Sequence, residues 1–318
     1  MPALSGSAAR ARPFLKWAGG KSQLLPELCK RFPSGLTTGG IVRYIEPFLG
    51  SGAVFFHLAQ ACSLKEYLLL DTNPDLVLTY QTIQRRVEEV IEVLGNMERE
   101  YHALSPDGQR EYFYRGRDAF NEVGAGTDTS AISMPGVVRA AQLLFLNKTC
   151  FNGLFRVNSR GLFNVPFGRN RRPTICNASN LRLVSWVLQR AEIRTADFED
   201  SGKFVDDATF IYFDPPYRPL GGTAYFTSYA ATPFNDGEQE RLAAFFRELD
   251  ARGAKLMMSN SDPKNERAED DFFEKAYTGF TIERVMARRT INSDATRRGR
   301  IYELIITNYR HVPGAFPE

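Results

Sequence analysis

The stretch from Ile41 to Asp71 limits the possible folds more than any other part of the chain. An apolar strand pattern over 41–46 (IVRYIE) runs into Pro47-Phe48-Leu49-Gly50-Ser51-Gly52. An apolar helix pattern over 53–61 and a second strand pattern over 67–71 (YLLLD) follow. A long helical pattern then runs from Pro74 towards Glu100. Further strand patterns lie at 191–197, 209–214 (TFIYFD), 254–259 and 301–308, with an amphipathic helix pattern at 236–251. Strands alternating with helices in this way predict an α/β fold with a doubly wound, Rossmann-like sheet.

The interval between Asp71 and Asp197 is far longer than one crossover requires, so it must hold an inserted domain. The insert reads as mostly helical up to Asn147. Its last part, 148–173, is rich in Gly, Asn and Phe and carries Lys148, Arg156, Arg160, Arg169, Arg171 and Arg172 with no acid among them. The expected partition is a flexible tail over 1–12, a sheet domain over 13–80 and 174–318, and an insert over 81–173.

A length of 318 residues suits one large domain or two smaller ones. The net charge of +3 is small, so affinity for a polyanion must come from local clusters such as the 148–173 loop. Four cysteines stand without a CxxC pair or a His-rich companion, which argues against zinc and against a disulfide framework. No metal is expected. The first residues lack the apolar core of a secretory signal, and no apolar run approaches the ~20 residues that cross a bilayer. These features predict a cytoplasmic protein without a membrane span; a monomer in solution is also expected.

The turn from Glu46 to Gly52 joins a strand to a helix, where glycine permits a sharp turn and close approach to a ligand. Asp71 follows about 20 residues later at a strand end, where doubly wound folds place a carboxylate on ribose hydroxyls. The loop lacks the full G-x-G-x-x-G string, which favours a nucleoside cofactor over a dinucleotide; a purely structural glycine turn is the alternative. Near the N-terminus, Gly20-Lys21-Ser22 imitates the end of a phosphate-binding loop. Leu15 occupies the position of its first glycine and no strand precedes it, which excludes nucleoside triphosphate hydrolysis. Trp17, beside two glycines and two lysines, is a candidate ligand contact.

The sharpest feature is Asp214-Pro215-Pro216-Tyr217 at the end of the apolar strand TFIYF. Two prolines stiffen the chain and remove N–H donors. A carboxylate oxygen and the Pro215 carbonyl can then be aimed at one point, which suits an exocyclic amine with two hydrogens. Acceptors on both hydrogens favour the pyramidal, nucleophilic form, and Tyr217 offers a face for a base taken out of its stack. The alternative is a strand-ending turn with a capping aspartate, but the carboxyl edge shared with Asp71 and the glycine turn favours chemistry.

At these residues the chain resembles the Dam-type DNA adenine-N6 methyltransferases, of the α order of amino-methyltransferases. FLKWAGGK, EPFLGSG, FNGLFRVN, FNVPFG and DPPY match that group's blocks in its order, from Phe14 to about Asn308. The resemblance implies transfer of a methyl group from S-adenosylmethionine to N6 of a flipped adenine in double-stranded DNA, with GATC as the expected site. It makes 13–80 and 174–318 the cofactor-binding catalytic domain and 81–173 the target-recognition domain. Trp17, Lys21, Asp71 and Asp214 are implied cofactor contacts, joined by the turn residues Glu46, Pro47, Phe48, Gly50 and Gly52, and by Asp197 and Phe198 at the cofactor adenine. Asp214, Pro215, Pro216 and Tyr217 are implied at the target base. Lys16, Leu154, Arg156 and Pro166 are implied base contacts, while Asn158 and Asn164 are implied phosphate contacts. Phe226-Thr-Ser-Tyr229 matches a segment near the flipped base or in the core. Arg288-Arg289 and Arg297-Arg298-Gly299-Arg300 match the family's basic C-terminal segment or form a solvated charge run.

Rival readings are weaker. Cytosine-N4 enzymes usually carry Ser before the two prolines, so Asp214 favours adenine. Cytosine-C5 chemistry needs a Pro-Cys pair, which is absent. A catalytically idle DNA-binding regulator would not need DPPY, the glycine turn and Asp71 together.

Overall fold

The structure, a computed structural model, describes residues 9–17, 19–122, 130–170, 172–218, 234–287, 301–311, 314 and 316. The 226–229 segment, the basic residues within 288–300 and Arg171 lie outside the described residues. Two compact units are formed. One comprises Met1–Ala18, Gly50–Ser63 and Asn73–Ala191, and the other Gly19–Leu49, Leu64–Thr72 and Glu192–Glu318.

The second unit carries a seven-stranded sheet. Its strands are β1 (Arg43–Glu46), β2 (Glu66–Asp71), β3 (Ala191–Thr195), β4 (Thr209–Phe213), β5 (Lys255–Ser261), β6 (Thr281–Ala287) and β7 (Ile301–Thr307). They lie in the order β3-β2-β1-β4-β5-β7-β6. β1 pairs in parallel with β2 and β4, β4 pairs in parallel with β5, and β7 runs antiparallel to both β5 and β6. All five residues of β4 are buried, as expected of a central strand covered on both faces. Ile45, Ile211, Phe213, Leu256, Met258, Leu304 and Ile306 form one core with Leu242, Phe246 and Leu249 of a helix over Asp236–Ala251. The Asn235 side chain caps that helix by accepting from the Glu238 amide, and Asp236 and Glu238 complement its dipole. Two short helices, α1 (Leu25–Cys29) and α2 (Gly35–Thr38), precede β1.

The first unit is built from helices: α3 (Ala53–Ala61), α4 (Pro74–Ala103), α5 (Pro106–Glu122), α6 (Met134–Thr149) and α7 (Ala178–Leu188). The Asp236–Ala251 helix is α8, and α9 spans Phe272–Ala276. α4 starts at Pro74, which needs no amide partner at a first helical position. Asn73 accepts from the amides of Asp75 and Leu76. Arg86 has non-helical dihedrals and kinks α4.

The boundaries of α3 and α8 coincide with those expected from sequence, whereas several strand ends shift by one or two residues. The first strand begins at Arg43 rather than Ile41, and the third stops at Thr195. Asp197 instead caps a 3-10 turn over Phe198–Phe204. The last strand ends at Thr307, and the Asn308 side chain accepts from the Leu256 amide. α7 and β6 were not anticipated from the sequence.

After α6 the basic loop is a pinned hairpin. Val157 bridges Phe163 and Cys150 bridges Phe167. The Asn158 side chain accepts from the amides of Arg160 and Leu162, which shapes the turn. Asn121 of α5 bonds both the amide and the carbonyl of Phe163. Gly168 approaches the backbone so closely that a Cβ there would lie 2.2 Å from the Cys150 carbonyl oxygen, so only glycine fits.

Candidate active site

The sheet order reverses between β1 and β4, and open α/β sheets bind ligands outside the carboxyl ends of the strands at such a point. Glu46 ends β1 and Asp214 directly follows β4.

Asp214 is the centre of a buried polar cluster. Lys21, only 4% exposed, places its Nζ 2.6 Å from Asp214 Oδ1 and donates to the Gly19 carbonyl at 2.6 Å. A buried ammonium needs such partners, because desolvation without them is costly. The Ser259 hydroxyl of β5 donates to the same Oδ1 at 3.2 Å. Tyr212 of β4 lies 2.7 Å from Ser259 Oγ. Burial pushes the Tyr212 phenol well above its ordinary range, so it keeps its proton and donates to Ser259. Burial likewise raises the Asp214 carboxyl, while Lys21 and Ser259 oppose that rise. Neither Ser259 nor Tyr212 carried any local sequence signal.

This arrangement leaves two acceptors open. Among the described residues no hydrogen bond reaches Asp214 Oδ2. The Pro216 carbonyl is engaged by Gln239 Nε2 at 3.0 Å, but among the described residues none engages the Pro215 carbonyl. Beyond the turn, Arg218 is clamped by Asp236 and Asp270 and lies over the Phe272 ring. Tyr217 donates from its hydroxyl to Glu303 Oε2 at 2.8 Å, and Lys21 Nζ sits 4.6 Å from its ring centroid.

Other expected residues of this unit take mixed positions. Glu46 is 2% exposed and accepts from the Tyr44 hydroxyl at 2.8 Å. Pro47 is buried beside it, and half-buried Phe48 packs on Phe198 with centroids 5.5 Å apart. Phe198 belongs to the core. Asp71 ends β2 half-buried, and its carbonyl accepts from the Ala196 amide. Both Asp197 oxygens are gripped by Arg241 at 2.9 and 3.0 Å. Burial works to raise the Asp197 carboxyl, but Arg241 and the Glu199 amide outweigh it and hold it below the ordinary range.

In the helical unit, Trp17 stacks on Phe155 with centroids 5.3 Å apart and an angle of 21°. Gly50 has φ +47°, and a Cβ there would meet Trp17 Cδ1 at 3.0 Å, so glycine suits both the backbone and the indole. Gly52 caps α3. Asn147, missed from the sequence, is 2% exposed and ties both the amide and the carbonyl of Lys16 to the Gly153 carbonyl. Leu154 is half-buried and its carbonyl accepts from the Cys150 thiol, which burial pushes up to about 12. Pro166 is exposed. Arg156 donates from Nε to Asn164 Oδ1 at 2.8 Å.

The mostly parallel sheet and its helices define a Rossmann-like fold. Residues 17–291 match the family described as D12 class N6 adenine-specific DNA methyltransferase. The chain belongs to this family and is an adenine-specific DNA methyltransferase. It is 46% identical to the Type II methyltransferase M.MjaIII of Methanocaldococcus jannaschii over 94% of this chain and 99% of that one. It is 35% identical to the Type II methyltransferase M1.LlaDCHI of Lactococcus lactis subsp. cremoris, over 97% and 99%. Identity to the DNA adenine methylase of Escherichia coli K12 is 32%, over 92% and 94%. No helix among the described residues is long and apolar enough to cross a membrane. No group of His, Cys, Asp and Glu among them is suited to hold a metal ion.

Proposed function

We propose that the methyl donor is S-adenosylmethionine, that the target adenine is flipped from duplex DNA, and that the recognition sequence is GATC. The observation that carries this reading is the pair of open acceptors, Asp214 Oδ2 and the Pro215 carbonyl, beside an oxygen already held by Lys21 and Ser259. Bound at N6, the two acceptors take the two amine hydrogens and turn the nitrogen lone pair out of the ring plane. Tyr217 supplies the stacking face. When bound, S-adenosylmethionine supplies the sulfonium methyl group. Trp17, Gly50 and Asp71 are assigned to it, the glycine for its left-handed turn under the indole and the strand-end carboxylate for ribose hydroxyls. Glu46, Pro47, Phe48, Gly52, Asp197 and Phe198 support the same cofactor. Target recognition is assigned to 81–173, acting in the cytoplasm on the nucleoid.

Asp71→Ala is expected to weaken S-adenosylmethionine binding while duplex binding stays measurable. Calorimetry showing unchanged cofactor affinity in a variant with ordinary circular dichroism removes Asp71 from the site.

The Asp214 carboxyl accepts most strongly when ionised. Its raised pKa therefore places the acid-side loss of activity above the range of an ordinary aspartate. The Ser259 hydroxyl lowers that pKa, so Ser259→Ala is expected to move the acid limb of the methyl-transfer profile to higher pH. A limb that stays in place while the plateau falls contradicts the role given to Ser259.

A further inference from the structure

Tyr217 is held more firmly than a stacking surface requires. Glu303 lies on β7, opposite Ser261 of β5 and Val285 of β6, so its backbone is fixed from both sides. Its carboxylate accepts from the Tyr217 hydroxyl at 2.8 Å, and Lys21 covers one part of the ring. The phenol is pushed well above its ordinary range by burial and by the charges of Asp214 and Glu303, so the hydroxyl retains its proton and is the donor. Pro216, one residue earlier, is anchored by Gln239, and Arg218, one residue later, by Asp236 and Asp270. The Pro216 carbonyl before Tyr217 and the Arg218 side chain after it are thus tied down, and the Glu303 bond restrains the Tyr217 side chain itself.

We propose that Glu303 is a positioning residue for methyl transfer. Through the Tyr217 hydroxyl it sets the tilt of the ring on which the target adenine stacks, and so aims the adenine amine at Asp214 Oδ2 and the Pro215 carbonyl. The proposal rests on the reading of Tyr217 as the stacking face. Without Glu303 the ring keeps its stacking area but gains freedom about its side-chain torsions. The loss therefore falls on the rate of the chemical step, where small misplacements are expensive, rather than on DNA affinity.

The test measures single-turnover methyl transfer, duplex Kd and thermal unfolding for the parent, Glu303→Ala, Glu303→Gln, Tyr217→Phe, Tyr217→Ala and Tyr217→Phe/Glu303→Ala. Glu303→Ala and Tyr217→Phe are each expected to slow transfer by about 10–100-fold, the rate equivalent of one hydrogen bond to a charged group, with duplex Kd unchanged. Glu303→Gln retains an acceptor carbonyl and is expected to keep most of the rate. The double variant is expected to be no more than about twofold slower than Tyr217→Phe alone, because both remove the same bond. Multiplying losses in the double variant, or parent-like rates for Glu303→Ala and Tyr217→Phe, overturn the positioning role. If Glu303→Ala fails to fold, Tyr217→Phe removes the bond from the other side and decides the question. A parent-like rate for Tyr217→Ala overturns the stacking reading itself, which separates the two failures.

Discussion

Replacing Asp214 by alanine is expected to lower methyl transfer by at least about 10²–10³-fold, with duplex binding retained. That magnitude is the loss typical of removing one preorganised electrostatic group. It is reached here because Asp214 arrives ready-made. Lys21 and Ser259 hold Oδ1 and Tyr212 supports Ser259, and we assign Oδ2 to the substrate amine. The variant also leaves the buried Lys21 ammonium without its carboxylate, so a loss of stability accompanies the loss of rate. Rates are therefore compared at a temperature where circular dichroism shows both proteins folded. Transfer to adenine at more than a few per cent of the parent rate contradicts the assignment of Asp214.

Within the basic hairpin, Arg156→Ala and Asn158→Ala are expected to fail in different ways. Arg156 donates from Nε to Asn164 Oδ1 and from one terminal nitrogen to the Asn164 carbonyl, which holds the guanidinium, and we assign its other terminal nitrogen to guanine. Loss of that contact is expected to cost ~1–3 kcal/mol at one base pair and to relax discrimination there. Asn158 uses its side-chain oxygen to shape the turn. We assign its amide to a phosphate, so its loss weakens every duplex alike and preserves the order of preference. The measurement is a competition across single-base variants of GATC at fixed salt. If Arg156→Ala lowers all variants by one factor, Arg156 grips only the backbone.

Local pattern carried much of this fold. TFIYF read as a buried strand because every residue is apolar or small enough to be covered on both faces, and α3 and α8 emerged at their observed boundaries. β6 escaped because TIERVMA is an edge strand in which charged Glu283 and Arg284 interrupt the apolar run. The signal for α7 was present: Leu181, Val184 and Leu188 recur at helical spacing behind an Asn177 cap. The DPPY turn was legible as a candidate because rigidity and an acceptor are written in adjacent residues. Its supports were not. Ser259 reaches Asp214 only because β4 and β5 pair with Phe213 opposite Met258, and Glu303 reaches Tyr217 only through the placement of β7. Asn147 likewise joins Lys16 to Gly153 across a long stretch of chain. Such contacts follow from tertiary register, which no local window of sequence reports.

The most direct test supplies duplex DNA containing GATC and S-adenosylmethionine labelled in its methyl group, then digests the DNA to nucleosides and separates them by chromatography with mass detection. The expected result is label in N6-methyladenine, dependent on Asp214 and absent from single-base variants of the site. Label in N4-methylcytosine, or none in any base with folded protein and cofactor bound, contradicts the assignment of this site to adenine N6.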